Sequence, residues 1–303
     1  MTSHGTQEYP FSGVVGMDDL ALALCLAVVS PAIGGVKLSR LTPELLQDLY
    51  DAKIAAGLKP ATVRLIHAVL YNALEHAHRR RHVAENAAAR TTPPVPRQGE
   101  MRPLNAQQVR TLLQRARETE DRLEALLVLA ATAGLRIGEL MALRWDDLDG
   151  DTLRVARTLS RAKSGPRYTT PKNGHGRSVV LTDRAIEALK RHRVCQNAER
   201  LKAGASWTNE DLIFCNPTGA PLNRNKVDEA HLQPLLKQAA LPRITPHDLR
   251  HTCATLLLSR GVHPKFVQEL LGHSSVAMTI DRYSHWIPSM GDQTARAMEA
   301  ALG

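Results

Sequence analysis

Apolar positions recur at intervals of three and four along most of the chain, and the breaks between these runs mark where helices end. From Leu41 the text reads as a helix: Thr42 suits the N-cap, Pro43 the first turn, Glu44 the positive end of the dipole, and Gly57 closes it. Between Pro60 and Arg81, the residues Val63, Ile66, Leu70, Ala73, Leu74 and Ala77 repeat on one face. That leaves Arg64, His67, His78 and the run Arg79, Arg80, Arg81 partly outside. Further helices are predicted from Asn105 to Arg117, Leu123 to Thr132, Asp183 to Lys202, Asn223 to Ala240, Pro246 to Ser259 and Pro264 to Leu271. Gly134 breaks the pattern just before Arg136, and Gly261 and Gly272 close the last two helices.

Strand signals are few. Thr152 to Leu159, Arg167 to Thr170 and Arg177 to Leu181 read as three short strands, the last two joined by a turn that runs from Lys172 to Gly176. Residues 91–103 hold four prolines and no periodicity, which marks an interdomain linker. The pattern therefore predicts a mainly α fold of the α+β kind. An N-terminal helical domain precedes a mostly helical C-terminal domain with a small three-stranded antiparallel sheet. The expected boundaries are 1–34, 35–90, 91–103 and 104–303. Residues 1–34 carry an apolar run, then Pro31, Gly34 and Gly35, with no clear amphipathic face, and no element is assigned to them.

Composition narrows the function. At 303 residues the chain can bury two cores of ordinary size. Its longest unbroken apolar run, Leu20 to Val29, is about half of the roughly 20 residues a membrane-spanning helix needs. Residues 1–16 contain no Lys or Arg, so the basic start of a secretory signal is missing and a cytoplasmic location is expected. Cys25, Cys195, Cys215 and Cys253 are scattered and read as reduced thiols, mostly core fillers, with no metal-ligand spacing among them. The net charge of +9 points to a polyanionic partner. Its distribution sharpens this: between residues 151 and 180, Arg154, Arg157, Arg161, Lys163, Arg167, Lys172 and Arg177 accompany a single acid, Asp151.

Candidate chemistry gathers near the C-terminus. His247 and Arg250 stand three apart in the first turn of a predicted helix, on one face, followed by His273 and Tyr283, with Arg136 far upstream. A helix start also offers free N–H groups to an anion. Two arginines present planar forks to a phosphate, histidines donate hydrogen bonds or move protons, and a tyrosine hydroxyl attacks phosphorus. Arg136 and Arg250 could neutralise the charge that develops on a phosphodiester without a metal, so no cofactor is expected. A leaving alkoxide needs a proton, and Lys172, at the mouth of its turn, is the candidate donor. Glu139, three residues after Arg136, reads equally as an orienting partner for that arginine or as a helix cap. Trp145 reads as core rather than as a base-stacking platform. Arg64, Arg79, Arg80, Arg81, Arg161, Lys163 and Arg177 are the candidate DNA contacts.

These residues resemble the tyrosine recombinases, the phage integrase family, over roughly Gly35 to His285. The motifs that carry the resemblance are Ala-Gly-Leu-Arg-Ile-Gly-Glu-Leu around Arg136, Thr-Pro-Lys-Asn around Lys172, and Thr-Pro-His-Asp-Leu-Arg-His-Thr at 245–252. Gln-Glu-Leu-Leu-Gly-His-Ser-Ser at 268–275 and Thr-Ile-Asp-Arg-Tyr-Ser-His at 279–285 complete the set. The resemblance implies that Arg136, His247, Arg250 and His273 bind and activate the scissile phosphate, that Lys172 protonates the leaving 5′ oxygen, and that Tyr283 forms a 3′-phosphotyrosyl intermediate. It also implies an N-terminal core-binding domain and a C-terminal catalytic domain that clamp a specific double-stranded DNA site. It further implies homotetramers on DNA held by the tail after the tyrosine, here Trp286 to Leu302, and accessory DNA-bending factors. Residues 1–34 resemble neither an arm-binding domain nor a first core-binding helix. Two alternatives stay open at this point: a type IB topoisomerase-like relaxing enzyme, and a truncated DNA-binding relic without full recombination activity.

Overall fold

The computed structural model describes residues 25–95, 103–162, 165–170, 176–286 and 298–302. Its contacts divide the chain into two compact units, Met1–Glu100 and Met101–Gly303.

The first unit is built on two helices, α1 (Pro43–Ala55) and α2 (Pro60–Arg79). Thr42 caps α1 by accepting from the Leu45 amide, and a proline opens each helix where its missing N–H costs nothing. Their facing sides bury Leu46, Leu49, Tyr50, Val63, Ile66, Leu70 and Leu74. Within the segment given no assigned element, residues 25–33 are helical: a π-helical turn at Cys25–Val29 leads into Ser30–Ile33, and Val29 joins the same core. A strap over residues 86–92 crosses both helices. Asn86 donates to the Tyr71 carbonyl and Glu75, Thr91 meets His67, and the Thr92 amide donates to Gln47.

The second unit wraps around α4 (Glu124–Thr132), whose residues are buried from Ala125 through Ala131. Burial on all sides explains its nearly continuous apolar text. Around it pack α3 (Ala106–Glu118), α6 (Asp183–Ala203) and α8 (Pro246–Ser259), with the short α5 (Ile137–Leu140) following at its C-terminal end. Helix α7 spans 224–238 and includes a π-helical stretch. Two shorter helices follow, α9 (Pro264–Leu271) and α10 (Val276–Tyr283). The pattern had not signalled α10. Its Ser275 cap accepts from the Met278 amide, and only Thr279 and Tyr283 are buried along it, too few to print a stripe.

The predicted first strand divides in two. Strands β1 (Leu148–Asp149), β2 (Thr152–Val155) and β5 (Arg177–Val180) form a three-stranded antiparallel sheet in the order β1-β2-β5. Strands β3 (Thr158–Ala162) and β4 (Gly165–Thr169) form a separate antiparallel hairpin. Pairing of Thr152 with Val180 through Val155 with Arg177 brings the start of β5 back over β2. Cys215 and Cys253 are buried as fillers, whereas Cys195 is exposed on α6. Trp145 packs against the core, and its indole N–H donates to Gln196 at 2.7 Å. No helix among the described residues is long and apolar enough to cross a membrane.

Candidate active site

Arg136 is placed by the abrupt end of α4. Gly134 has φ +60, and a Cβ there would lie 2.6 Å from Leu271 Cδ2 and 3.3 Å from Cys253 Sγ, so only glycine turns the chain this closely. Arg136 then caps α5. Its backbone N–H donates to Glu139 Oε2 at 2.9 Å and its Nη1 donates to Glu139 Oε1 at 2.8 Å. Glu139 thus fills both roles read from its spacing, orienting partner and cap. Its carboxylate is 1% exposed and also receives both Nη groups of Arg177, at 3.1 and 2.8 Å. Burial alone would raise the Glu139 pKa. The hydrogen bonds and charge of Arg177, joined by those of Arg136, hold it below the usual carboxylate range.

The first turn of α8 supplies the next pair. Thr245 and Asp248 form a capping box, with the Thr245 amide and hydroxyl donating to Asp248 Oδ2 at 2.7 and 2.8 Å. His247 and Arg250 follow on one face. Arg250 is 1% exposed and donates from Nη1 to the Gly134 carbonyl and from Nη2 to the Leu271 carbonyl, both at 2.7 Å. A guanidinium has more N–H donors than these two contacts use. Burial, then the neighbouring Arg136, lowers its pKa to about 10, so it stays charged at neutral pH.

Beyond α9, Gly272 adopts the left-handed conformation at φ +62 and accepts from Arg136 Nη2 at 3.1 Å. His273 comes next, its Nδ1 2.8 Å from Thr279 Oγ1. Tyr283 closes the cluster from α10. It is fully buried, its hydroxyl lies 2.6 Å from His251 Nδ1, and its ring stacks parallel to His273 at 6.4 Å between centroids. His251 in turn meets His247 edge to face at 4.6 Å.

The electrostatics of this cluster favour neutral imidazoles and a neutral phenol. Burial pushes the Tyr283 hydroxyl up to about 12 and His251 down to about 4. Burial and the charges of Arg250 and Arg136 take His273 down to about 3, and His247 is lowered by burial and by Arg250. With a protonated phenol beside a neutral imidazole, Tyr283 donates to His251 Nδ1 in the tautomer that carries its proton on Nε2.

The structure therefore brings together Arg136, His247, Arg250, His273 and Tyr283 from four separate stretches of chain. Lys172 and Lys163 lie outside the described residues, and Arg161 falls within β3. Arg64, Arg79, Arg80 and Arg81 are exposed on α2 and just beyond it, with Arg79 paired to Glu75 at 3.2 Å. Arg177 departs from expectation. Instead of facing outward with the basic run, its side chain is 14% exposed and bound to Glu139 and to the Leu270 carbonyl. The residue that sequence reasoning passed over is His251. Its signal was the second histidine of His-Asp-Leu-Arg-His, four residues after His247 and so on the same helical face. Among the described residues, no group of three or more His, Cys, Asp or Glu is placed to hold a metal ion.

Comparison with known proteins identifies the family. The phage integrase family model matches residues 102–289, which include all five clustered side chains. The chain belongs to the phage integrase family. It is a tyrosine-type site-specific recombinase. Among relatives of this integrase-family chain, a tyrosine recombinase XerC-like protein of Caldanaerobacter subterraneus is 30% identical over 84% of this chain and 70% of the relative. An integrase of Saccharopolyspora erythraea is 28% identical over 88% of this chain and 73% of the relative. The fold matches a Tn1549 transposon integrase solved with transposon right end DNA, with TM-score 0.77 and 20% identity over 96% of both chains. It also matches a lambda integrase tetramer bound to a Holliday junction, with TM-score 0.64 and 21% identity over 92% of this chain and 74% of that one.

Proposed function

We propose that this recombinase cuts and rejoins double-stranded DNA at a specific site through a covalent bond between Tyr283 and a 3′ phosphate. The observation that carries the reading is the Tyr283 hydroxyl held 2.6 Å from a neutral histidine inside a cluster containing two arginines. The phenol oxygen attacks phosphorus as its proton passes to His251 Nδ1, the bond to the 5′ oxygen breaks, and that oxygen leaves with a proton from Lys172. The 5′ hydroxyl of another strand then attacks the phosphotyrosine and gives its proton to Lys172, while the departing Tyr283 oxygen regains one from His251, so the phosphoester energy is conserved without ATP. Arg136 and Arg250 neutralise the charge that develops on the phosphoryl oxygens, which leaves no step that needs a metal. His247 and His273 donate to the same oxygens.

Tyr283 is fully buried in the free chain, so α10 shifts before attack. A phosphate entering the cluster raises the imidazole pKa and narrows its gap to the phenol. The exposed basic residues of the first unit supply sequence-independent phosphate contacts. On DNA the chain assembles as a homotetramer through its C-terminal tail, aided by DNA-bending factors, in the cytoplasm. The integrases of like fold solved with DNA and as a tetramer support the tetramer on DNA.

The test is a nicked suicide substrate that carries the cognate site from the flanks of the gene. The expected result is a covalent protein–DNA adduct that forms in chelator and disappears in Tyr283→Phe. An adduct that persists in Tyr283→Phe would overturn the assignment. Relaxation of any supercoiled plasmid without site preference would favour a topoisomerase-like enzyme instead.

A further inference from the structure

Two arginines suffice to clamp the phosphate in the reading above, yet a third guanidinium sits in the same cluster. Arg177 opens β5, and three of its nitrogens donate inside the protein. Its Nε donates to the Leu270 carbonyl at 2.8 Å, and its two Nη groups bind the two Glu139 oxygens at 3.1 and 2.8 Å. This is the planar two-point pairing that lysine cannot reproduce.

Its partners reveal a wider arrangement. The last carbonyls of a helix have no intrahelical donors and carry the negative end of the dipole. At the end of α9, three successive carbonyls each receive a different arginine: Leu270 from Arg177, Leu271 from Arg250 and Gly272 from Arg136. The three arginines come from β5, from α8 and from the loop after α4. His273 is the next residue in the chain. The fit is close: a Cβ on Gly272 would stand 3.0 Å from Arg177 Nη1. Glu139 joins Arg177 to Arg136 from the other side, and a carboxylate this buried needs both cations.

We infer that Arg177 is a positioning residue for strand cleavage and not a DNA contact: it fixes Glu139, through which it orients Arg136, and it anchors the helix end from which His273 projects. The inference rests on the cleavage reading above.

The experiment compares wild type, Arg177→Lys and Arg177→Gln in the full chain, measuring DNA affinity against salt separately from single-turnover cleavage of the bound suicide substrate. Misplacing an orienting group costs roughly 10- to 100-fold in rate. Arg177→Lys is therefore expected to slow cleavage about that much with affinity and salt slope unchanged. Weaker binding, a salt slope reduced by about one phosphate and normal cleavage once bound would overturn it. Glu139→Gln provides a second variant where Arg177→Gln does not fold. Action through one relay predicts that Glu139→Gln with Arg177→Lys slows cleavage little more than either alone, while rates that multiply would sink the relay. Wild type that forms no adduct through Tyr283 would remove the cleavage reading, and the salt slopes would still decide whether Arg177 touches phosphate.

Discussion

The imidazoles of His247, His251 and His273 are held neutral by burial and by the arginines around them. Unfolded histidines titrate near 6.5, so the unfolded chain binds more protons from there down to about 4 for His251 and about 3 for His273. Stability from these groups is complete above about pH 6.5 and falls as pH drops through that window, by up to about 1.4 kcal/mol per pH unit for each histidine. Urea unfolding between about pH 4 and 7.5 is expected to show this slope, and His251→Gln to reduce it by about one proton. A flat profile would mean that the imidazoles are not neutral and buried. The same variant tests the phenol contact. Glutamine accepts the Tyr283 hydrogen bond but cannot take its proton, so adduct formation should fall at least about 100-fold. An unaffected rate would assign His251 to restraint alone. His251 was hard to find because its spacing says only that it shares a face with His247. Whether that face meets solvent or a tyrosine from α10 is settled by tertiary packing. Arg177 was misleading for the converse reason. A run of basic residues reads as outward, and the buried carboxylate that turns this one inward lies 38 positions away.

At the level of elements, periodicity located most helices because each buries one stripe, as α2 does with Val63, Ile66, Val69, Leu70, Leu74 and Ala77. It was silent where burial is sparse or irregular. Helix α10 is defined by a Ser275 cap and two buried positions, and the Cys25–Val29 turn is π-helical, a period the pattern does not test. The division between β2 and β3 follows from pairing with different partners, β5 and β4, which local text does not encode. Glycine breaks, by contrast, were legible and consequential. Gly134 lets α4 end against α8 and α9 and sends Arg136 back toward the site. Gly134→Ala adds strain from φ +60 and a 2.6 Å approach to Leu271, with an expected cost of about 2–4 kcal/mol. Chemical denaturation measures this loss, and a variant as stable as wild type would show that the turn relaxes freely.

For the whole molecule, the two units carry different kinds of side chain. Every member of the Arg136, His247, Arg250, His251, His273 and Tyr283 cluster comes from the second unit, which has its own extensive core. The first unit contributes none of them, but carries Arg64, Arg79, Arg80 and Arg81 exposed on and beyond α2. A chain comprising residues 101–303 is therefore expected to fold alone and to keep the acid sensitivity set by its histidines. Its DNA affinity should fall, and the dependence of log affinity on log salt should become shallower by nearly one for each phosphate that the first unit neutralises in the full chain. Fluorescence anisotropy of a labelled duplex across a salt series, run on both lengths of chain, measures the difference directly. Equal slopes would place the phosphate-binding residues in the second unit and leave the exposed arginines of α2 as a solvated surface.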